Sequence, residues 1–464
     1  MKILLIAHGY PRELIGGTEL YVERLARELQ GEGHQVSVFA GSVDWREQFH
    51  TEPFELDGIS GLRVHRNDLY FDRWDKGYNP LVSAALHRHL LEIRPDVVHL
   101  HHWIRLSTDL VGVAARLGIP AVVTAHDLYT TCPRVFRLRG EHGDEWCDQQ
   151  MGEDACTNCV QRWKFQQDAE IAAALSSYQE DMRRELVLAR RILAPSGSHA
   201  RFLQEHLLLP AGKFEVVPHG SLAEGFEARP KRGEDGRVHL VYWSHLHPIK
   251  GAHLLLRAVA ECGVADRFHV HLYGEPSGPA YRERLEELAR AIQVTFHGAF
   301  RPADLVSATM DVAVIPTLAR ESYSFLLDEA VMLGVPILAT DFGAISERAT
   351  PRVMTFQRND PADLAARLKR IAEEPDLLER MRASSPPDLI DFKEHLRRLL
   401  PIYERVLSEG PPEAPLAGEW DRLREQWDRR EVLFRELVRI ESWEDVVKEL
   451  RRRVSELEDE LRGR

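Results

Sequence analysis

Runs of consecutive apolar residues alternate with amphipathic stretches along most of this chain, and that alternation predicts strands followed by helices. In the first half the strand candidates are 2–7, 35–40, 96–100, 120–124 and 192–195. A second set begins near Phe214, at 214–217, 238–243, 268–273, 311–315, 335–339 and 353–356. Short apolar runs without a polar face are the pattern of parallel strands covered by helices on both sides. The repetition predicts an α/β protein with two doubly wound, Rossmann-like sheets, one per half, facing each other across a cleft. The expected divisions are 1–205, carrying an insert at 130–160, and 206–387. A helix at 388–408, a Gly-Pro-Pro linker within 409–418 and a tail at 419–464 complete the chain. Ligands of such sheets sit beyond the carboxyl ends of the strands, so chemistry is expected in the cleft.

The tail has another period. Ile440, Trp443, Val447, Leu450, Val454, Leu457 and Leu461 recur at alternating spacings of three and four among dense charges of both signs. That heptad seam predicts a coiled coil and a homo-oligomer assembled through 419–464. A helix folded back on its own chain, or a charged solvated helix, fits the same residues.

Composition narrows the classes. At 464 residues the chain exceeds one ordinary core, and 44% hydrophobic content fills two. A net charge of −13 argues against a nucleic-acid partner held by bulk electrostatics. It leaves open a local basic patch and peripheral contact with a membrane. No apolar run approaches the roughly 20 residues that span a bilayer. The opening Met1–Ala7 is too short for a signal peptide, so the expected location is cytoplasmic, the inner membrane face included.

Candidate chemistry concentrates where strands end. Glu321 and Glu329 stand eight residues apart after the apolar run that Pro316 and Thr317 close. Glu321 is expected in a loop and Glu329 about two turns into the next helix. Such a junction offers backbone N–H groups to a phosphate, and carboxylates beside it suit a ligand that also carries hydroxyls. Gly16-Gly17-Thr18-Glu19 opens a helix after the first strand, where small residues allow a phosphate to approach the backbone. It is neither the dinucleotide fingerprint nor a P-loop, and a plain helix start capped by Thr18 explains it equally. Lys250 lies in a strand–helix loop of a chain with few lysines. With His245 it is placed to neutralise a diphosphate leaving group, against the alternative of a solvated loop lysine. His126 ends a buried strand, a place for a residue that bonds a sugar hydroxyl or a reacting oxygen, against the equal alternative of a structural histidine. His101, His102 and Trp103 end the neighbouring one, where acceptor-pocket lining or polar packing is favoured over a metal, because His102 points away from the face His99 and His101 share.

Four of five cysteines cluster, at Cys132, Cys147, Cys156 and Cys159, the last two in a Cys-x2-Cys knuckle. In a reducing compartment a closed structural Zn²⁺ site is favoured over disulfides or free thiols, since the insert is poor in apolar residues and needs a staple.

Together these residues resemble the family 4 glycosyltransferases, retaining enzymes of GT-B fold. The resemblance covers roughly 1–408 and rests on Gly16-Gly17, Thr124-Ala-His126-Asp127, Ala194-Pro-Ser196, Val217-Pro-His219-Gly220, Lys250-Gly251 and the Glu321/Glu329 pair. The cysteines match a subset of that family with a Cys-cluster loop. The resemblance implies transfer of a sugar from a UDP- or GDP-sugar to an acceptor hydroxyl on a glycan or lipid-linked sugar, without a catalytic metal. Glu321 would contact the donor sugar, Glu329 the ribose, and Lys250 the diphosphate, aided by Gly16 and amides around Ser324, Phe325 and Leu326. His126 would bond the donor sugar near the reaction centre. The helix at 388–408 would return to the first domain. Three positions depart from the family pattern: His245 where Arg is usual, Ser324 where Gly is usual, and His219 where Asn is usual. Either a protonated His245 beside the diphosphate or another arginine, Arg320 or Arg301, is expected to supply the missing charge. The competing readings are a GT-B sugar-nucleotide epimerase and a non-catalytic scaffold of a glycan-synthesis complex.

Overall fold

The computed structural model describes residues 1–413 other than 141, 142, 165 and 227, together with 418, 424, 425, 427 and 428. Among the described residues two large sheets carry the fold, and a two-stranded one pairs 138–139 with 145–146. The first has eight strands in the order 214–216, 191–194, 121–124, 97–100, 2–7, 35–41, 59–65 and 50–56. All pair in parallel except the hairpin 50–56/59–65. The strand Lys2–Ala7 sits near the middle of the sheet, and Leu4, Leu5 and Ile6 are fully buried, as its unbroken apolar run requires.

The second sheet is wholly parallel, in the order 294–298, 268–273, 238–243, 312–315, 337–340 and 353–356. Numbered along this half of the chain, that order is 3-2-1-4-5-6. The order reverses between 238–243 and 312–315, and a reversal opens a crevice at the carboxyl ends of the two strands.

Three expectations are corrected. The strand 214–216 was assigned to the second sheet, but it pairs with 192–194 at the edge of the first. The hairpin 50–56/59–65 and the edge strand 294–298 were missed. The hairpin's Asp57-Gly58 turn takes φ of 50° and 79°, the double positive φ for which an Asp-Gly pair is the usual signal. Polar residues on half-exposed strands hid the rest of the pattern.

The helix Phe392–Ser408 buries Phe392, Leu396, Leu399, Ile402, Tyr403 and Val406 in one cluster with Ile3, Leu5, Tyr21, Leu25 and Leu29. Those six side chains recur at helical spacing, so a single stripe covers the first sheet. At about 1.5–3 kcal/mol for each fully buried large side chain, the stripe ties the end of the chain firmly to the first domain. Polar contacts fix its register: Tyr403 Oη lies 2.6 Å from His99 Nδ1, and Tyr21 Oη 2.7 Å from His395 Nε2. The coiled-coil expectation for 419–464 falls almost wholly outside the described residues. Among those residues no helix is long and apolar enough to cross a membrane.

Candidate active site

The two loops that follow the reversed strands meet in the crevice. Strand Val238–Trp243 leads into a turn whose His247 Nδ1 accepts the Ile249 N–H at 3.2 Å, which presents Lys250 at the crevice. Gly251 then starts the next helix at φ 77°, and a Cβ there would lie 1.8 Å from the Pro316 carbonyl oxygen. Only glycine allows this approach of the two loops. The Leu318 N–H donates to the Ile249 carbonyl at 2.8 Å and locks them together. The result is that Lys250 Nζ donates to Glu321 Oε1 at 2.9 Å, and the Thr317 hydroxyl donates to the same oxygen at 3.0 Å. Both side chains stay partly open to solvent.

Ser324 is the residue that turns the chain from this loop into helix Phe325–Met332. It adopts φ 75°, ψ 88°, a left-handed conformation for which glycine is the favoured residue. The departure seen in the sequence is therefore accommodated with the glycine-type backbone retained. Arg348 braces the loop: it pairs with the buried Asp328, lies 4.4 Å over the Tyr323 ring and donates to the Tyr323 carbonyl at 3.1 Å. Behind the brace, the first N–H groups of the helix lack intrahelical acceptors, as at any helix start. Glu329 sits one turn into the helix, not two, and accepts the Trp243 indole N–H at 2.5 Å. Burial pushes its carboxyl up to about 7, despite the indole, with the nearby Asp328 adding to the rise.

The first domain contributes the opposite wall. Gly16 is the extended N-cap of helix Gly17–Gly31, and a Cβ on Gly17 would stand 3.3 Å from the Phe325 ring. The glycine turn thus faces the start of the second domain's helix. His126 lies beneath this contact, its Nε2 2.9 Å from His101 Nδ1, and the Ser322 hydroxyl donates to its carbonyl at 2.5 Å. Burial lowers the His126 pKa to about 3, so its imidazole is neutral. Asp127, although burial opposes it, is held at about 2 by His102, whose Nε2 is 3.2 Å away. His219 is buried between Tyr21, His126 and Phe325, with ring centroids at 4.1, 5.0 and 5.6 Å.

Not every candidate joins the site. Trp103 is buried, and its indole N–H is taken by Glu185 at 2.8 Å, so it packs the core rather than opening on an acceptor. His101 is likewise buried, in contact with His126. Arg320 does not replace the missing guanidinium: it donates to Ser198 Oγ at 2.7 Å across the domain boundary and stacks over Phe202 and Phe342. Arg301 is exposed beside Asp304. His245 is exposed, its ring 6.3 Å from that of His247. Among the described residues Lys250 is the cation that bonds Glu321.

Two residues given no role in advance stand at the cleft floor. His8 Nε2 lies 2.8 Å from Glu19 Oε1, and Glu19 in turn crowds Gly16, where a Cβ would be 2.7 Å from its other oxygen. Both flank the glycine turn in sequence, and their type, an imidazole and a carboxylate beside a phosphate-accommodating turn, was the available signal.

Residues 15–221 match the family described as Glycosyltransferase Family 4, and residues 237–374 match that described as Glycosyl transferases group 1. The chain belongs to glycosyltransferase family 4. The D-inositol 3-phosphate glycosyltransferase of Nocardiopsis dassonvillei is similar at 25% identity over 436 residues, 87% of this chain and 92% of that one. Among solved structures, sucrose-phosphate synthase from Thermosynechococcus elongatus superposes with a TM-score of 0.64 at 18% identity, covering 88% of this chain and all of that one. HepE of Anabaena, in complex with UDP and glucose, superposes with a TM-score of 0.58 at 14% identity, covering 86% and 99%. The two parallel-sheet domains are those of the GT-B fold, and this family 4 protein is a glycosyltransferase.

Its cysteine insert is tied to both domains' edges. Cys132, Cys147, Cys156 and Cys159 are all free and line one small cavity with Arg134 and Arg137. Burial pushes the Cys132 thiol up to about 11, with Cys156 and Cys159 near enough to add to it. The donor set suits Zn²⁺, and the Arg134 guanidinium is 3.6 Å from the Cys159 sulfur. As placed, no three of the thiols gather within 4.8 Å, so closing on an ion requires side-chain rotation.

Proposed function

We propose that this family 4 glycosyltransferase takes its sugar from a UDP- or GDP-sugar and transfers it, with retention, to a hydroxyl of a glycan or lipid-linked acceptor. The observation that carries the reading is the Lys250–Glu321 pair at the strand-order reversal, with Glu329 one turn into the helix that follows. Lys250 is placed to take the β-phosphate, joined by the amides that begin helices 17–31 and 325–332. Fixed N–H groups and a single ammonium stabilise charge that develops on a departing diphosphate. Glu329, recessed on Trp243, suits the ribose hydroxyls, and Glu321 the hydroxyls of the sugar. HepE of Anabaena, a GT-B structure with UDP and glucose bound, is consistent with a uridine donor.

In the transfer, the bond from the anomeric carbon to the β-phosphate oxygen breaks as the acceptor oxygen bonds the same face. The acceptor proton passes to the departing phosphate. Neutral His126 serves as a hydrogen-bonding partner of the sugar, since a pKa near 3 makes it a poor proton donor or acceptor at neutral pH. The cysteine insert would hold a structural zinc, and the tail 419–464 would join copies of the chain in the cytoplasm or on the inner membrane face.

Glu321→Ala is the direct test. With the productive donor and acceptor, turnover should fall at least 1000-fold while the protein stays folded, and the NMR coupling constant of the product should report the donor's anomeric configuration. Unchanged turnover, or an inverted product, overturns the assignment. Release of free sugar or epimer without an acceptor would favour the epimerase class.

A further inference from the structure

The second sheet carries a group of imidazoles that the transfer reaction does not use. His269 and His271 alternate on the strand Phe268–Tyr273, so both face the same side of the sheet, and His239 faces that side from the neighbouring strand, in register with His269. One nitrogen of each lies within 4.8 Å of those of the other two, and among the described residues no other three ligating side chains gather so closely. His239 Nδ1 is 2.9 Å from His271 Nε2. The other nitrogen of His239 is held by Asp235 at 3.1 Å, which turns Nδ1 toward the cluster. His297, on the edge strand, stands 3.1 Å from His271 Nδ1 and holds that ring in the same way.

From this arrangement we propose that His239, His269 and His271 bind a late first-row divalent cation such as Zn²⁺, Co²⁺ or Ni²⁺. Three imidazoles are a common donor set for zinc, and a carboxylate on the far nitrogen of a ligating histidine fixes its tautomer and orientation. Zinc–nitrogen bonds of 2.0–2.1 Å put tetrahedral ligands about 3.3 Å apart, so the His239–His271 pair needs to part by only a few tenths of an ångström. His269 Nε2 lies 2.8 Å from the Thr295 hydroxyl, so a cation there takes the place of that contact. The site lies toward the amino ends of the strands, four residues or about 13 Å along 238–243 from Trp243. An ion here therefore ties the sheet's edge together and takes no part in transfer.

The test uses full-length protein stripped by a chelator and titrated with Co²⁺. Wild type should bind an equivalent that gives visible d–d bands without thiolate charge transfer, and His269→Ala/His271→Ala should lose that equivalent alone. His271→Gln, which keeps size and polarity, should show the same loss if the double variant folds poorly by circular dichroism. Cys156→Ser/Cys159→Ser should leave the imidazole bands in place. Equal stoichiometry and spectra in wild type and the folded histidine variants would overturn the proposal, as would loss of these bands in the cysteine variant.

Discussion

Replacing Glu329 by Gln should change how stability depends on pH. The folded-state pKa of Glu329 is about 7 against an ordinary 4.5, because burial disfavours the carboxylate more than the Trp243 indole favours it. The difference between those two values corresponds to roughly 3 kcal/mol between the neutral and ionised forms. The sign follows from proton uptake: between the two pKa values the folded state binds more protons than the unfolded state, so stability falls as pH rises. The stabilisation is complete below 4.5, declines through the interval and levels off above 7. Between pH 5 and 8 about 2 kcal/mol is lost, or about 4–8 °C of melting temperature for a domain of 150–250 residues. Gln keeps an acceptor for the indole and has no charge, so Glu329→Gln should gain on wild type by that amount over the same range. Thermal melts of both proteins at pH 5, 6, 7 and 8 measure it. Parallel profiles would refute the reasoning and place the carboxylate in a solvated setting. Because a ribose hydroxyl bonds the ionised form best, nucleotide affinity should also strengthen with pH, by up to tenfold per unit below 7, in wild type only.

Further consequences are as direct. Ser324→Gly should relieve a left-handed residue worth about 1–2 kcal/mol, offset by the extra freedom of glycine in the unfolded chain, for a net gain of about 0.5–1 kcal/mol in a thermal melt; a loss would mean that the Ser324 side chain holds the loop. Gly251→Ala should cost more than about 2 kcal/mol, since its Cβ would meet the Pro316 carbonyl, and a melt unchanged from wild type would contradict the close approach. Arg320→Ala should leave nucleotide binding intact, measured by calorimetry, because its guanidinium is engaged with Ser198; a tenfold loss would return it to the diphosphate site.

Much of this was legible in the chain because buried parallel strands are written as short unbroken apolar runs. Lys2–Ala7 and Val238–Trp243 carry such runs, and the loops after them hold Gly16-Gly17 and Lys250. Edge elements were not legible in the same way. His50–Leu56 and Val294–Gly298 alternate or expose their side chains, so the period faded even where Asp57-Gly58 signalled a turn. The strand Phe214–Val216 was recognised, but which sheet it joins depends on pairing with residues some twenty positions earlier. Glu321 and Lys250 were singled out separately; that they bond each other follows from the loops meeting at Gly251 and Pro316. Arg320 showed the opposite failure, a charge of the right type whose partner, Ser198, lies across the domain boundary.

The most direct measurement is calorimetric titration of UDP, GDP and their hexose conjugates into wild-type protein and Lys250→Ala. A charge-assisted bond of about 1.5–3 kcal/mol corresponds to a loss of roughly 10- to 100-fold in affinity. The account predicts that one nucleotide series binds wild type, and that Lys250→Ala weakens it by that factor with the fold intact. Absence of binding by every donor, or equal affinity in both proteins, would contradict the claim that the crevice between the reversed strands is a nucleotide-sugar site.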